Sequence, residues 1–317
     1  MRHGGQILVD QLKIQGIERV FCVPGESYLA ALDGLYDSGI ETIIGRQEGG
    51  IAMMAEAHGK LTSKPGVAFV TRGPGATNAS AGVHIAFQDS TPMVLFVGQV
   101  ASDQRDREAF QEVDYRQMFG PLAKWVAEID RTDRIPEYVS RAFHIAVSGR
   151  PGPVVLSLPE DMLSARAEVK DAKPSRPAEQ MVSHKRIRDV IDRLKIAQDA
   201  FVIVGGGGWS QEAADHLCRF ASALGLPVGA SFRCQDYLDN RHPNYVGDVG
   251  IAPNPDLEER VKKSDCVLIL GARLGEMTTS GYSLFDIPNP SQCILHVHAD
   301  PNEIGRVYRP QIGLACK

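Results

Sequence analysis

The chain has 317 residues, 34 Lys and Arg against 39 Asp and Glu, a net charge of −5 and 43% hydrophobic residues. That length accommodates two domains of ordinary size, each with its own core. Basic residues are scattered and outnumbered, which argues against nucleic acid or another polyanion as partner. The six cysteines (Cys22, Cys218, Cys234, Cys266, Cys293 and Cys316) form no C-x-x-C pair, so neither a disulfide framework nor a zinc site is expected.

The N-terminus runs straight into an amphipathic helical pattern without a signal-peptide core. The longest apolar runs, such as 266–270, fall far short of a membrane span. A cytoplasmic protein with no membrane partner is the expectation. In chain order the patterns predict helix 5–15, strand 19–23, helix 28–38, strand 41–45, helix 50–62 and strand 66–71. Helix 77–89, strand 93–98, helix 135–148 and strand 153–157 follow. Met93 to Val97 are apolar at every position, as expected of a strand covered by helices on both faces.

Residues 165–181 are rich in Lys, Ala, Pro, Ser and Arg, with Pro174 and Pro177 close together. A linker is placed at 166–184, between domains at 1–165 and 185–317. The pattern then restarts with helix 185–197 and strand 200–204. Four glycines at 205–208, helix 211–224 and strands 228–231, 266–270 and 293–298 complete it. The fold class is α/β, with two doubly wound, mostly parallel sheets.

The most informative stretch is 46–60, where Glu48 stands between an apolar strand and a helix that begins near Gly49. Gly49 and Gly50 let another molecule approach the backbone closely. An acid at such a junction also serves as a plain helix cap. Pro24 and Gly25 end the preceding strand, and Gly73-Pro74-Gly75 with Thr77 and Asn78 follows the next, where those polar side chains are able to cap a helix. Then come Ala86 to Pro92, the Gly98-Gln99-Val100 turn and Ala109-Phe110-Gln111-Glu112. In this order and spacing the motifs, from about Gly5 to Pro159, resemble the N-terminal, pyrimidine-binding domain of thiamine-diphosphate enzymes of the acetolactate synthase type.

The resemblance implies that Glu48 hydrogen-bonds a nitrogen of the cofactor's aminopyrimidine, so that the exocyclic nitrogen removes the thiazolium proton. Burial of an acid in an apolar cleft favours such proton sharing. It implies further that Pro24, Gly25, Gly73, Pro74, Gly75 and Asn78 line the pyrimidine pocket. Gln99, Phe110, Gln111 and Glu112 would face the reacting carbons, although each also reads as polar surface. The absence of a His-His pair in the first domain disfavours the simple 2-oxo acid decarboxylases. The presence of Glu48 disfavours the glyoxylate-condensing branch.

The second half resembles the central domain of the same enzymes, through Gly271-Ala272-Arg273-Leu274-Gly275 and His296 to Gly305. Its glycine run nearly fits G-x-G-x-x-G, but Ser210 takes the last glycine's place and strand 228–231 ends without an acid. That argues against a dinucleotide-dependent dehydrogenase. Gly205, Gly207, Arg273 and Asp300 are candidate nucleotide contacts, with a solvated loop charge an equal reading of the last two. The resembled family's flavin-contacting arginine falls on Gly120, and Leu-Gly-Glu-Met-Thr-Thr follows Arg273 in place of Phe-Asp-Asp-Arg. Both departures count against FAD, and an adenine nucleotide is no better supported. The histidines show no metal spacing and read as structural, so no metal residue is assigned.

Complete enzymes of this kind bind the diphosphate through magnesium in a third domain with a Gly-Asp-Gly motif. Gly247-Asp248-Val249-Gly250 does not supply it. The expectation is therefore the N-terminal and central part of a homodimeric or homotetrameric enzyme acting on a 2-oxo acid, inactive by itself. The alternative is a non-catalytic nucleotide-binding or regulatory paralogue that associates with a complete subunit.

Overall fold

Apolar runs alternating with helices force crossovers, and a crossover returns the chain parallel to the strand it left. In the computed structural model every pairing within the two main sheets is parallel. The structure describes residues 1–177 and 180–316, which form two compact units, one on either side of residues 178–179.

The first unit contains β1 (Arg2–His3), α1 (Gly4–Ile14), β2 (Arg19–Cys22), α2 (Leu29–Leu35), β3 (Glu41–Ile44), α3 (Glu48–Thr62) and β4 (Gly66–Val70). It continues with α4 (Pro74–Asp89), β5 (Met93–Gln99), α5 (Tyr115–Phe119), β6 (Trp125–Glu128), α6 (Ile135–Val147), β7 (Pro153–Pro159), α7 (Glu160–Ser164) and β8 (Arg166–Ala167). Its six-stranded sheet has the order β3-β2-β4-β5-β7-β6. The middle strands β4, β5 and β7 are buried at every residue. α1 and α6 contribute to the core on one face, and α3 and α4 to the core on the other. Small residues let α3 and α4 come close: a Cβ built on Gly82 would lie 2.4 Å from the Ala52 Cβ. The strand order turns between β2 and β4, and open α/β sheets bind ligands outside the carboxyl ends at such a turn.

Residues 166–175, the first part of the stretch expected to be a linker, are strapped to this unit. β8 pairs antiparallel with β1. Asp171 accepts from Arg2 Nη2 at 2.8 Å and from Gln11 Nε2 at 2.8 Å, and Gln15 Oε1 accepts from the Ser175 N–H at 2.9 Å. These hydrogen bonds satisfy backbone and side chains that a solvated linker would leave to water.

The second unit contains α8 (His184–Ile196), β9 (Ala200–Val204), α9 (Gln211–Leu224), β10 (Val228–Ala230), β11 (Tyr245–Asp248), α10 (Pro255–Lys263), β12 (Cys266–Leu270), β13 (Cys293–His298) and β14 (Ile312–Ala315). Its sheet order is β11-β10-β9-β12-β13-β14, which is the order of the doubly wound nucleotide-binding fold. Among the described residues, no helix is long and apolar enough to cross a membrane.

Candidate functional site

The loops that leave β2 and β4 touch at the turn of the first sheet. A Cβ on Gly25 would fall 2.4 Å from the Thr71 Cβ, so only glycine lets these loops meet. Ser27 Oγ lies 2.8 Å from Thr71 Oγ1 and accepts from the Arg72 N–H at 3.3 Å. Tyr28 is buried and donates its hydroxyl proton to the Val23 carbonyl, which fixes the chain just before Pro24 and Gly25. Burial pushes the Tyr28 phenol up, with the charges of Cys22 and Glu48 adding to it.

Glu48 is the first residue of α3, and it is not the cap. Gln47 holds that position, accepting from the Gly50 N–H at 2.6 Å through Oε1. The Glu48 carboxylate is thereby left for another task. Its Oε2 accepts from Asn78 Nδ2 at 3.0 Å. Its Oε1 accepts no hydrogen bond among the described residues and faces Gly75, whose built Cβ would lie 3.5 Å away.

The expected capping role of Thr77 and Asn78 is also corrected. α4 starts at Pro74, with Gly73 as a cap that offers no side chain, so both residues lie inside the helix. Thr77 Oγ1 donates back to the Gly73 carbonyl at 3.0 Å, while Asn78 is free to turn toward Glu48. Gly73 has φ +56° and donates its N–H to the Tyr115 hydroxyl at 2.9 Å. A Cβ there would meet the Gln111 Cβ at 2.7 Å. The structure thus brings Pro24, Gly25, Glu48, Gly73, Pro74, Gly75 and Asn78 to one end of one sheet, with Gln111 beside them.

Gln99 and Phe110, expected to face the substrate, differ in burial. Gln99 is fully buried, donating to the Val113 carbonyl at 2.8 Å and accepting from the Val100 N–H at 2.9 Å, so it tethers the loop after β5. The Phe110 side chain is 72% exposed. Glu112 shapes its own loop, accepting from the N–H groups of Asp106 and Ala109 at 2.8 and 3.2 Å. Those backbone donors, chiefly Asp106, hold its carboxyl below the usual range, with Arg105 assisting.

Arg72 was not singled out in the sequence. Its nearly buried guanidinium donates Nε to the Phe110 carbonyl at 3.1 Å and pairs with Glu26 at 3.1 Å and Glu160 at 3.5 Å. It therefore joins the loops that follow β2, β4, β5 and β7. Those partners are scattered along the chain, so the only local signal was a cation next to the Gly73-Pro74-Gly75 turn.

In the second unit the glycine run follows β9 at the turn of the sheet. Trp209 Nε1 donates to the Gly205 carbonyl at 2.9 Å, Tyr237 donates to the Gly206 carbonyl, and the two rings stack 5.1 Å apart. Gly205 leaves room for the Ser231 side chain, whose Oγ would be 1.9 Å from a Cβ. Gly207 is half-buried beside them. Asp300 Oδ1 accepts from the Asn302 N–H at 2.9 Å and from its side chain at 3.0 Å, closing a turn. Arg273 pairs with Glu303 at 3.3 Å, and both line a small pocket with His296 and Tyr308. His296 sits 3.0 Å from the Ala272 carbonyl, and burial lowers its pKa to about 4. Among the described residues, no group of three or more His, Cys, Asp and Glu side chains could hold a metal ion.

Comparison with known proteins bears on both units. Residues 2–118 match the family model described as thiamine pyrophosphate enzyme, N-terminal TPP binding domain. Residues 187–317 match thiamine pyrophosphate enzyme, central domain. The chain is 32% identical over 315 residues to the acetolactate synthase large subunit of Haemophilus influenzae, covering 96% of this chain and 54% of that one. It is 30% identical to the acetolactate synthase isozyme 2 large subunit of Escherichia coli K12, over 98% of this chain and 56% of that one. A probable acetolactate synthase large subunit of Methanocaldococcus jannaschii is also 30% identical, over 98% and 53%. The chain spans about half the length of these relatives.

Proposed function

Because the chain carries the N-terminal and central domains of the thiamine pyrophosphate enzymes, we propose that its first unit holds the aminopyrimidine of thiamine diphosphate in an acetolactate synthase-like enzyme. That enzyme decarboxylates a 2-oxo acid and joins the product to an acceptor. The observation that carries this reading is the state of Glu48: cap duty belongs to Gln47, one oxygen is held by Asn78, and the other is open beside Gly75. A half-buried carboxylate with one oriented oxygen and one free oxygen suits a ring nitrogen that must share a proton.

Glu48 would hold the ring nitrogen, and Pro24, Gly25, Gly73, Pro74, Gly75 and Asn78 would line its surroundings. Thiamine diphosphate, when bound, supplies the electron sink that lets a carbon–carbon bond beside a carbonyl break and reform. Asn78 donates to Glu48, which fixes the carboxylate's orientation and leaves the other oxygen open beside Gly75 at the start of α4. Arg72 and Gln99 keep the loop after β5 seated beside Gly73. The magnesium and diphosphate contacts belong to residues outside these units, and a second subunit completes the site, so the 317 residues alone do not turn over. A purely nucleotide-binding role has less support, since Ser210 takes the place of the last glycine of the turn and β10 leads into Ser231 without an acid.

The test is acetolactate formation from pyruvate by the full gene product carrying these residues, with thiamine diphosphate and magnesium. Glu48→Gln is expected to lower kcat about 10²- to 10⁴-fold, the usual worth of a positioned acid–base group. An unchanged kcat overturns the reading.

A further inference from the structure

Beside the edge strand of the first sheet lies a concave site that the thiamine reading leaves unused. α5, β6 and α6 line an open pocket of about 280 Å³ with Arg116, Trp125, Arg134, Glu137, Tyr138 and Arg141, together with Val126 and Ala127. β6 is an edge strand, separated from β4 by β5 and β7. The lining runs along this edge strand, from Trp125 at its first residue to Arg134 just before α6.

The side chains are ordered by stacking. Arg134, Tyr138 and Arg141 recur at helical spacing and so share one stripe of α6. The Arg141 guanidinium lies 4.3 Å from the Trp125 ring, Trp125 stacks on Tyr138 at 5.9 Å and 19°, and the Arg134 guanidinium lies 4.7 Å from the Tyr138 ring. A guanidinium stacked on an aromatic ring uses its face and leaves its in-plane N–H groups unspent. Arg134 spends its own on Asp130 at 3.0 Å and on Glu137 at 2.8 and 3.1 Å. Arg141 and Arg116 have no carboxylate within ion-pair distance among the described residues. With Arg134 paired to Asp130 and Glu137, Arg116 and Arg141 give the pocket surplus positive charge and two donor forks without a carboxylate among the described residues.

We propose that this pocket binds the phosphate group of a small molecule, with Arg116 and Arg141 as its donors. A tetrahedral dianion accepts paired N–H groups from a guanidinium in the fork geometry that a stacked arginine presents. The aromatic wall would seat whatever apolar part the phosphate carries. Inorganic phosphate and a phosphate ester share this chemistry, and the experiment separates them.

The purified 317-residue chain is titrated at constant ionic strength with inorganic phosphate, with a nucleoside monophosphate and with sodium chloride. Tryptophan emission and equilibrium dialysis are followed together. Saturable binding of one equivalent is expected, with an emission change that Trp125→Phe removes while dialysis still reports binding. Arg141→Gln and Arg116→Gln should each weaken binding at least about tenfold, as loss of a charge-assisted pair does. Arg116→Gln serves as the independent variant should Arg141→Gln disturb α6. Tighter binding of the nucleotide identifies an ester as ligand, and equal binding identifies inorganic phosphate. Unsaturable responses matched by chloride overturn the proposal, as does phosphate binding that survives both arginine substitutions.

Discussion

Replacing Arg72 by alanine should loosen the loops around the candidate site more than one surface charge would suggest. The hydrogen bond from Nε to the Phe110 carbonyl is worth about 1 kcal/mol net. Loss of the buried Cγ and Cδ methylenes removes about 1.5 kcal/mol of apolar burial, at about 0.8 kcal/mol each. The pairs with Glu26 and Glu160 add little, since those carboxylate side chains are 57% and 38% exposed and water replaces the arginine. The buried Nη1 makes no hydrogen bond and meets only the Glu160 carboxylate at 3.5 Å, so it adds little, and the first two terms set the net loss at about 2–3 kcal/mol. For a unit of this size that corresponds to a fall in Tm of about 4–12 °C. Arg72→Lys keeps the stem and the charge but not the Nε donor, and should lose about 1 kcal/mol. Calorimetry measures the stability, and limited proteolysis after Arg105 or Arg107 reports release of the loop. If Arg72→Ala melts within about 2 °C of the parent with unchanged cleavage, Arg72 does not bind these loops together.

Two further outcomes are expected. Gly25→Ala has a backbone that alanine accepts, with φ −153°, yet its Cβ would overlap Thr71, so it should cost about 1–3 kcal/mol in urea denaturation. Gly25→Ala with Thr71→Gly should recover part of that, and a harmless single variant would show that the two loops do not touch. His296 is held neutral by burial, and His298 opposes its charge further while Glu303 and the Ala272 carbonyl favour it. Its folded pKa of about 4 lies below the ordinary 6.5, so protons favour the unfolded chain. The second unit should then keep its full stability above pH 6.5 and lose it as pH falls toward 4, by about 2 kcal/mol at pH 5. His296→Gln should flatten that slope in pH-dependent denaturation, and an equal slope in both proteins would refute the assignment.

The central strands were legible because burial on both faces leaves unbroken apolar runs, as in 93–98 and 266–270, which the structure gives as Met93–Gln99 and Cys266–Leu270. Within the two six-stranded sheets, the strands that sequence reading passed over are β6, β11 and β14, each four residues long. β6, β11 and β14 all lie at a sheet edge, covered on fewer sides, and the last two contain glycine, so their apolar signal is short and diluted. The glycine turns and Glu48 stood out through their order and spacing along the sequence, since each alone is an ordinary turn or cap. What the sequence hid was the division of labour among neighbours. Gln47 takes the cap, Asn78 reaches across from the interior of α4, and Gln99 turns inward. Each depends on a partner in another element, which local pattern does not encode.

The spacing of Glu48 and Asn78 is decided one helical turn behind them. Ala52 follows Glu48 by four residues and Gly82 follows Asn78 by four, so each pair shares a helix face. Where α3 and α4 press together, the missing side chain of Gly82 sets how near the helices stand, and hence how near the carboxylate and amide at their ends can come. A methyl group added there would act as a wedge at the root of a pair of tongs, prising open tips it never touches. The grip on Glu48 is therefore kept by an atom that is not there.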